Sequence, residues 1–412
     1  MLPQIVDLYV EPALSSAGEG LLAGVVLDNG RVYWGACAVF AGTQLADAQS
    51  ILSQIQPMLA GKPLASFPEL VAQLDAFQQE VPATRIVQPE PETSASAGTF
   101  SRRKLISGFL ADDKPQTESV QVVEKRPLRL RSVQAFPAPL RLGISQALFS
   151  AAAAESNQSL VSLLVELSGF DAASEKIPLH VEVNETNMAI VRSILSTQVA
   201  SLGYSTGSTN HKATLGGDAE RLQAHVRQVK AWIESVAPTA KPAIHLNIQG
   251  GFTELYEGNE GKILGALYGL EQAAKPYSLV MENVIAGEET PALSAAEVAV
   301  SRTLRTLQSY LGVRKMSVKL AAGSDLFSTT ALRHFVEKKA VHQIHLDIAR
   351  FGSIPQIMAF MQRCHEQKRQ VIVRCDESGV ETAVALALTA HAHALSGPPH
   401  LLYNEMIKQL AN

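Results

Sequence analysis

The sequence predicts an α/β protein in which a small α+β domain precedes a barrel of alternating strands and helices. Three observations support this fold class: a strand-then-helix pattern that repeats from about residue 177 onward, an N-terminal hairpin followed by helices, and a length of 412 residues. That length suits two domains, one of which can be a barrel of about 250 residues. We place the domains at 1–170 and 171–412, with a flexible insertion at about 81–130.

The clearest strand lies at residues 343–347, where polar and apolar residues alternate. Gln343, His345 and Asp347 therefore share one face of the strand. An exposed antiparallel strand would give the same alternation, but helical patterns at 329–338 and 354–367 flank this one. That context favours a strand inside a βα repeat whose polar face points into a barrel, where strand ends carry chemistry.

The rest of the repeat follows from short apolar runs and from helical periodicity. Candidate strands cover residues 179–183, 203–208, 244–248, 279–282, 316–321, 343–347 and 371–374, with a last one near Leu401. Helical patterns between them cover residues 187–201, 219–236, 260–274, 295–311 and 380–394. Eight strands that alternate with helices predict a TIM-type (β/α)8 barrel.

The N-terminal domain begins with a predicted hairpin within the first 40 residues, because Asn29-Gly30 is a two-residue turn signal between valine-rich runs. Helical patterns at 44–59, 68–79 and 137–167 follow. Between about 81 and 130 the composition shifts to Pro, Ser, Thr, Glu and Lys, which predicts a flexible excursion with a short ordered piece at 105–110. The basic cluster at 101–104 either docks a protein partner or is simply solvated.

Composition and charge argue against several classes of function. The net charge of -4 and the pI near 6.3 lack the excess of positive charge that is typical of nucleic-acid-binding proteins. No apolar run reaches the roughly 20 residues that span a bilayer, and Asp7 and Glu11 stand where a signal peptide has its apolar core. Three cysteines without metal-type spacing fit a reducing compartment. We therefore expect a cytoplasmic protein with no nucleic-acid or membrane partner.

A series of short segments, in order along the chain, resembles the enolase superfamily and, within it, the methylaspartate ammonia-lyase branch. The segments are LDNGRVYWGACA at 27–38, LGISQALFSAAA at 142–153, Ile177-Pro178, HLNIQG at 245–250, Lys275-Pro276 with Leu279 and Glu282, CDES at 375–378 and YNEM at 403–406. The resemblance implies an enolase-like fold, in which an α+β capping domain precedes the barrel, and a homodimer.

The resemblance also implies a site in which carboxylates at three successive strand ends hold magnesium. A lysine removes the proton next to the substrate carboxylate, and the metal stabilises the resulting enediolate. The metal-ligand positions fall on Asn247, Glu282 and Gly323, with Asp325 two residues further on. The lysine position falls on Asp347 and the assisting histidine position on Tyr204. Because one carboxylate of three remains at these positions, neither magnesium nor another cofactor is expected.

The substrate-contacting positions of the family have also changed. Glu182 and His345 stand where the family presents glutamines, Arg374 replaces a threonine, and Cys375 is retained. Together with Asp347, these ionisable side chains would converge on one barrel mouth. Such replacements indicate a different ligand rather than a decayed pocket.

Several of these residues allow two interpretations. Asp347 either pairs with Arg374 on the neighbouring strand or acts as an acid or base. His245 is either a satisfied core histidine or a ligand. Lys319 is either a base or the partner of a carboxylate such as Glu282.

Two functions remain open from the sequence. The first is a divergent lyase-like protein that has lost the magnesium-dependent chemistry and serves a binding, structural or regulatory role. The alternative is a repurposed, metal-independent enzyme that acts on a small polar or anionic ligand. For that alternative, the resemblance links divergent relatives to methanopterin-linked one-carbon cofactor metabolism.

Overall fold

The computed structural model describes residues 2–15, 18–37, 45–84, 129–168, 178–182, 199–207, 210–287, 293–374, 392 and 394–397. By its internal contacts the chain divides into two compact units, one of Met1–Phe77 with Phe136–Asn412, the other of Gln78–Ala135. The domain boundary that the sequence suggested near residue 170 lies outside the described ranges. No helix within those ranges is both long and apolar enough to cross a membrane.

An antiparallel sheet opens the larger unit, with strands in the order β1 (Ile5–Ser15), β2 (Gly18–Leu27) and β3 (Val32–Cys37). The predicted hairpin is confirmed as β2 and β3, and Gly30 of its turn has a φ of 78°, where a side chain would be strained. The strand β1 was not predicted, and it contains Pro12, a residue that is unfavourable inside strands.

Helices pack against this sheet and against one another. They are α1 (Leu45–Leu59), α2 (Phe67–Ala76), α3 (Ala138–Glu155) and α4 (Leu160–Ser168). The central helix is α3, which contacts β2, β3 and α2 and is buried over most of its length. A Cβ atom added to Gly35 of β3 would overlap the carbonyl oxygen of Gly143 in α3, so the backbones of sheet and helix touch directly.

The smaller unit contains an antiparallel pair, β4 (Gln78–Thr84) and β5 (Arg129–Ala135). The predicted excursion at 81–130 therefore begins and ends in strand residues, which corrects its bounds at both ends. The ordered piece expected at 105–110 and the basic cluster at 101–104 lie outside the described residues.

A closed barrel of parallel strands forms the rest of the larger unit. Its strands are β6 (Leu179–Glu182), β7 (Val199–Ser205), β8 (Ala243–Asn247), β9 (Leu279–Glu282), β10 (Lys319–Gly323), β11 (Gln343–Asp347), β12 (Gln370–Arg374) and β13 (Ala394–Gly397). Each strand pairs with its sequence neighbours, and β13 closes the ring onto β6. The predicted (β/α)8 barrel is therefore confirmed over the described residues.

Two strand predictions were misplaced. The strand that closes the barrel is Ala394–Gly397, whereas the sequence placed it near Leu401, which lies outside the described residues. The strand β7 begins at Val199, so a helix at 187–201 would run too far, and most of that segment lies outside the described residues. Both errors concern small, polar strands without a strong apolar run.

Helices follow the strands around the barrel. Those described are α5 (His211–Leu215), α6 (Glu220–Val236), α7 (Gly251–Tyr256), α8 (Glu260–Ala274), α9 (Ala295–Val313), α10 (Thr329–Glu337) and α11 (Ile354–Glu366). Serine N-caps start the last three: Ser294, Ser328 and Ser353 each accept a hydrogen bond from a backbone N–H in the first turn. Such caps satisfy helix N–H groups that otherwise lack partners.

The two faces of the barrel strands differ in polarity. On β11, Ile344 and Leu346 point outward and are fully buried under the helices. Gln343 and His345 point inward and are 3% and 7% exposed. The inward polar face predicted for this strand is therefore present, and the same parity on the other strands directs polar side chains into the barrel.

Candidate functional site

A polar cavity of about 240 Å³ lies at the C-terminal ends of the barrel strands. Its lining residues are Glu182, Ser205, Asn247, Gln249, Glu282, Ser324, Asp325, His345, Asp347 and Arg374. Barrel enzymes carry their active sites at this end, where loops and strand ends meet. The cavity is smaller than the pockets that take drug-sized ligands, so its volume suits a metabolite of about amino-acid size.

Asp347 is held in a fixed position at the end of β11. Its Oδ1 accepts a hydrogen bond of 3.0 Å from the N–H of Ala349, and its own N–H donates to Ser324 Oγ at 2.9 Å. Its Oδ2 lies 3.8 Å from Arg350 Nε. The strand register sets Asp347 beside Arg374, and both residues line the cavity.

Asp325 turns into the cavity although it lies beyond the end of β10. Its Oδ1 accepts a hydrogen bond of 2.8 Å from Asn283 Nδ2, and its Oδ2 accepts one of 2.9 Å from Asn247 Nδ2 and another from Gln249 Nε2. A Cβ atom on Gly323 would overlap Asp325 Oδ1 and Glu282 Oε1. Asp325 therefore occupies the space that a side chain at position 323 would take, and three neutral amide groups bind its carboxylate.

A layer of buried imidazoles lies one step deeper in the barrel. His245 Nε2 and His345 Nδ1 approach the same oxygen, Glu282 Oε2, at 2.6 and 3.0 Å. The His180 ring packs edge-on against both, with ring centroids 4.7 Å from His245 and 5.2 Å from His345, and its Nδ1 lies 2.7 Å from Ser201 Oγ. We call His180, His245, Glu282 and His345 the histidine layer.

Burial and charge act in opposite directions on this layer. Burial alone would raise the pKa of Glu282, but the His345 charge and hydrogen bonds from both imidazoles hold that pKa well below its usual range. Burial opposes charge on His345, yet Glu282 raises its pKa above the ordinary value. The pKa of His180 is far below normal because of burial and the two neighbouring imidazoles. A neutral His180 therefore lies beside an ion pair of His345 and Glu282.

The sequence contains a signal for this layer that sequence reasoning did not use. His180, His245 and His345 each stand two positions before a polar residue at a strand end. Residues two apart on a strand share a face, so this spacing directs the three imidazoles into the barrel, and the strand register then brings them together. From the sequence, His245 and His345 were interpreted separately, His180 was not singled out, and an inward turn of Asp325 was left open.

Two residues suggested from the sequence lie away from the cavity. The ring of Tyr204 packs on His225, with centroids 3.8 Å apart, so it faces the helical layer instead of the barrel interior. Lys319 Nζ donates to Gln370 Oε1 at 3.2 Å, which corrects the pairing with Glu282. Both donor and acceptor stand at the first residue of their strands, at the opposite end of the barrel from the cavity.

The remaining predicted residues fall into two groups. The first group lines the cavity at one barrel mouth, as the sequence predicted. It consists of Glu182, His345 and Arg374 together with Asn247, Glu282 and Asp347. Cys375 lies outside the described residues. Cys364 is a buried residue of α11, and burial raises its thiol pKa to about 12, which fits a structural role.

A family model described as "Methylaspartate ammonia-lyase C-terminus" matches residues 171–408, more than half of the chain. The chain belongs to the methylaspartate ammonia-lyase family. A curated relative from Carboxydothermus hydrogenoformans, "Methylaspartate ammonia-lyase 2", is 21% identical over 417 residues, which cover 96% of this chain and 86% of the relative.

Solved structures of this family share the fold of the chain. The methylaspartate ammonia lyase of Citrobacter amalonaticus, described as containing (2S,3S)-3-methylaspartic acid, gives a TM-score of 0.72 at 17% identity and covers 99% of both chains. The Clostridium tetanomorphum enzyme, described as a magnesium complex, gives 0.70 at 15% identity and covers 99% of this chain and 98% of its own. A mandelate racemase/muconate lactonizing enzyme from Roseiflexus sp. gives 0.59 at 15% identity, covering 95% and 88%.

The residues at the family's metal positions do not fit magnesium. Asn247 is neutral, and it turns its Nδ2 donor, not an oxygen, toward Asp325. Glu282 Oε2 is occupied by two imidazoles, and Gly323 has no side chain to offer. Magnesium requires an octahedral set of oxygen ligands, and an amide NH2 group cannot supply one. The arrangement instead offers hydrogen-bond donors and acceptors to an organic ligand, above a nitrogen-rich layer.

Proposed function

We propose that this protein binds a small amine-bearing metabolite in the barrel mouth and does not catalyse the magnesium-dependent release of ammonia from 3-methylaspartate. The observation that carries the proposal is Asp347 at the position of the family's lysine base. Its carboxylate lines the cavity and accepts a hydrogen bond from the Ala349 N–H, while its backbone N–H donates to Ser324 Oγ.

A carboxylate at this position reverses the local electrostatics of the family's reaction. An ordinary aspartate, with a pKa near 3.9, is a much weaker base than a lysine amine. It also adds negative charge where an enediolate would form, and the residues at the metal positions do not fit the cation that would offset that charge. Each change raises the barrier to removing a proton next to a carboxylate.

The charges around the cavity favour a cationic group on the ligand. The ion pair of Glu282 and His345 is neutral as a whole, and the other charged lining groups are the carboxylates of Glu182, Asp325 and Asp347 and the guanidinium of Arg374. Asp325 accepts hydrogen bonds from amides, which are neutral, so its negative charge is not cancelled by them. A ligand with an ammonium group and at most one carboxylate matches this distribution better than a dicarboxylic amino acid such as 3-methylaspartate.

Thermal-shift and calorimetric titrations test the proposal, because a ligand that binds the native state raises the melting temperature. The panel contains neutral amino acids, simple amines, 3-methylaspartate, other dicarboxylates and pterins. We expect binding by an amine-bearing compound and weaker binding by dicarboxylates. Asp325→Asn should weaken the amine about tenfold, whereas Tyr204→Phe, which alters a side chain outside the cavity, should leave its affinity unchanged.

An assay of ammonia release completes the test. With magnesium and 3-methylaspartate, we expect no release above the rate of a sample without protein. Magnesium-dependent release at a rate typical of enzymes, about 1 per second or more, would overturn the proposal, as would equal affinities for amines and dicarboxylates.

A second candidate is an enzyme with different chemistry, and the histidine layer favours it. Glu282 and His345 belong both to that buried layer and to the cavity lining, so ionisable groups meet the ligand directly. Incubating the protein with whichever compound binds, followed by proton NMR of that compound, distinguishes the two. An unchanged spectrum supports binding alone, and a new set of resonances that disappears in Asp347→Asn supports catalysis.

A further inference from the structure

The histidine layer is unusual for the middle of a barrel, which bulky aliphatic side chains normally fill. His180, His245 and Glu282 are each 1% exposed and His345 is 7% exposed. Buried polar groups are costly unless they are fully hydrogen-bonded, so such a cluster is seldom retained for packing. Packing alone therefore does not explain why these four buried side chains are polar.

Hydrogen bonding within the layer is incomplete. An ionised Glu282 can only accept, so His245 Nε2 and His345 Nδ1 must both donate to the same oxygen. The other ring nitrogens, His245 Nδ1 and His345 Nε2, are buried and have no hydrogen-bond partner among the described residues. Two imidazoles and a carboxylate therefore converge on one point while half of their ring nitrogens stay unsatisfied.

We propose that His245, Glu282 and His345 bind a transition-metal ion such as Zn2+, through one nitrogen of each imidazole and the carboxylate of Glu282. The three candidate ligand atoms lie within 4.8 Å of one another. This inference goes beyond the proposed function, since the metal can bind whether or not the cavity holds an amine.

The chemistry of the ligand set decides which metal fits. Two imidazoles and one carboxylate form the protein ligand set of catalytic zinc sites, and imidazole prefers zinc, iron, nickel and copper over magnesium. The atoms that converge on Glu282 Oε2 are ring nitrogens that become lone-pair ligands once their proton is lost to solvent or moves to the other nitrogen of the same ring. At the family's magnesium positions, by contrast, Asn247 presents an amide NH2 group, which has no lone pair to donate.

The distances require a small, defined adjustment. Ligand atoms at about 2.0–2.1 Å from a tetrahedral zinc ion lie roughly 3.3 Å apart. The contacts of 2.6 and 3.0 Å to Glu282 Oε2 would therefore lengthen by about 0.7 and 0.3 Å when the ion replaces the shared protons.

The site opens toward the cavity and is braced from the other side. Glu282 and His345 line the cavity, so the fourth ligand position faces whatever binds there, as in catalytic zinc sites. His180 packs edge-on against both imidazoles and is fixed by Ser201. We assign His180 as a positioning residue that holds the two ligand rings at this spacing.

The test uses the full chain, freed of metal with a chelator and dialysed. Titration with Zn2+ should give about one equivalent bound per chain with submicromolar affinity, measured by calorimetry and by metal analysis after desalting. Co2+ should give visible absorption bands of a low-symmetry nitrogen and oxygen site. Mg2+ at millimolar concentration should not displace either ion.

Variants locate the site. His245→Asn and His345→Asn should each weaken Zn2+ binding by about 100-fold or more, and His180→Asn should weaken it about 10-fold. His211→Asn, which alters a buried histidine outside the barrel interior, and Asp325→Asn, which alters a cavity carboxylate outside the histidine layer, should bind Zn2+ like the parent chain. Circular dichroism confirms that each variant is folded.

Each outcome decides the proposal. Failure of the parent chain to bind Zn2+ below about 10 µM would show that the layer is a buried ion pair only, and would overturn the inference. Equal affinity in His245→Asn and the parent, or loss of binding in Asp325→Asn alone, would also overturn it. None of these results bears on whether amines bind in the cavity, so failures of the two proposals can be told apart.

Discussion

The contact between the N-terminal sheet and α3 differs in kind from the barrel interior. At the contact, Gly35 and Gly143 bring two backbones together with no side chain between them. Inside the barrel, four buried polar side chains fill a level where hydrocarbon is usual. The first region contains the segments 27–38 and 142–153, in which the sequence resembles the family, and the second contains His345, which differs from the residue that the resemblance implies. Backbone contact therefore holds the sheet on the helix, while ionisable side chains set the chemistry of the barrel.

The helix α3 also joins distant parts of the larger unit. Gln146 Oε1 accepts a hydrogen bond of 2.8 Å from the N–H of Ala36, which ties α3 to β3. Ser145 Oγ accepts one of 3.1 Å from the N–H of Ile354, at the start of α11 beside the barrel. One helix thus contacts both the sheet and the barrel, so damage at its surface should affect the whole unit.

The largest expected effect is therefore that of Gly35→Ala. The new methyl group would overlap the Gly143 carbonyl and lie 2.8 Å from the backbone nitrogen of Ala147, and backbone atoms cannot move aside cheaply. We expect the free energy of unfolding to fall by about 4 kcal/mol, measured by urea denaturation. The matched control is Gly265→Ala in α8, where no atom lies within 4 Å. It should gain about 0.5–1 kcal/mol, and equal effects at the two sites would break the comparison.

The next largest expected effect on stability concerns the barrel interior. Glu282→Gln removes the carboxylate that both imidazoles approach and leaves His345 without its charged partner. In the presence of a chelator, we expect the unfolding free energy to fall by about 3 kcal/mol, because removing one member of a buried ion pair leaves the other charge buried without its partner. Combining this change with His345→Gln gives a double-mutant cycle. A coupling energy below about 0.5 kcal/mol would show that the two groups do not act together.

The same contrast explains what the sequence could and could not predict. Outward residues such as Ile344 and Leu346, with helices beside them, made the barrel predictable, because hydrophobic periodicity follows directly from burial. The alternation of polar and apolar residues along β11 also predicted that His345 and Asp347 point into the barrel. The convergence of His180, His245 and His345 depends on strand register and barrel closure, which no local pattern contains. The inward turn of Asp325 could only be left open, because a loop, and not a strand, directs it.

The smallest effect concerns the edge of the contact between α3 and the N-terminal sheet, where Glu155 ends α3. Tyr33 Oη donates to Glu155 Oε1 at 2.7 Å, and Arg31 and Asn29 donate at 3.1 and 3.2 Å. The Tyr33 hydrogen bond, and then those of Asn29 and Arg31, hold the pKa of Glu155 below its usual range against a contribution from burial. A pKa that is lower in the folded chain contributes stability above the unfolded pKa, near 4.3, and that stability is lost as the pH falls through the folded pKa.

We therefore expect Glu155→Gln to lower the unfolding free energy by only about 0.5 kcal/mol at pH 7, since solvent screens this site. The difference between parent and variant should shrink as the pH falls from about 4.3 through the lower folded pKa, below which the carboxylate is protonated in both states. Urea denaturation at several pH values measures it. In Tyr33→Phe the effect of Glu155→Gln should be smaller at pH 7 because the main donor is gone. A pH-independent difference would mean that shape, and not charge, holds the end of α3 on the sheet.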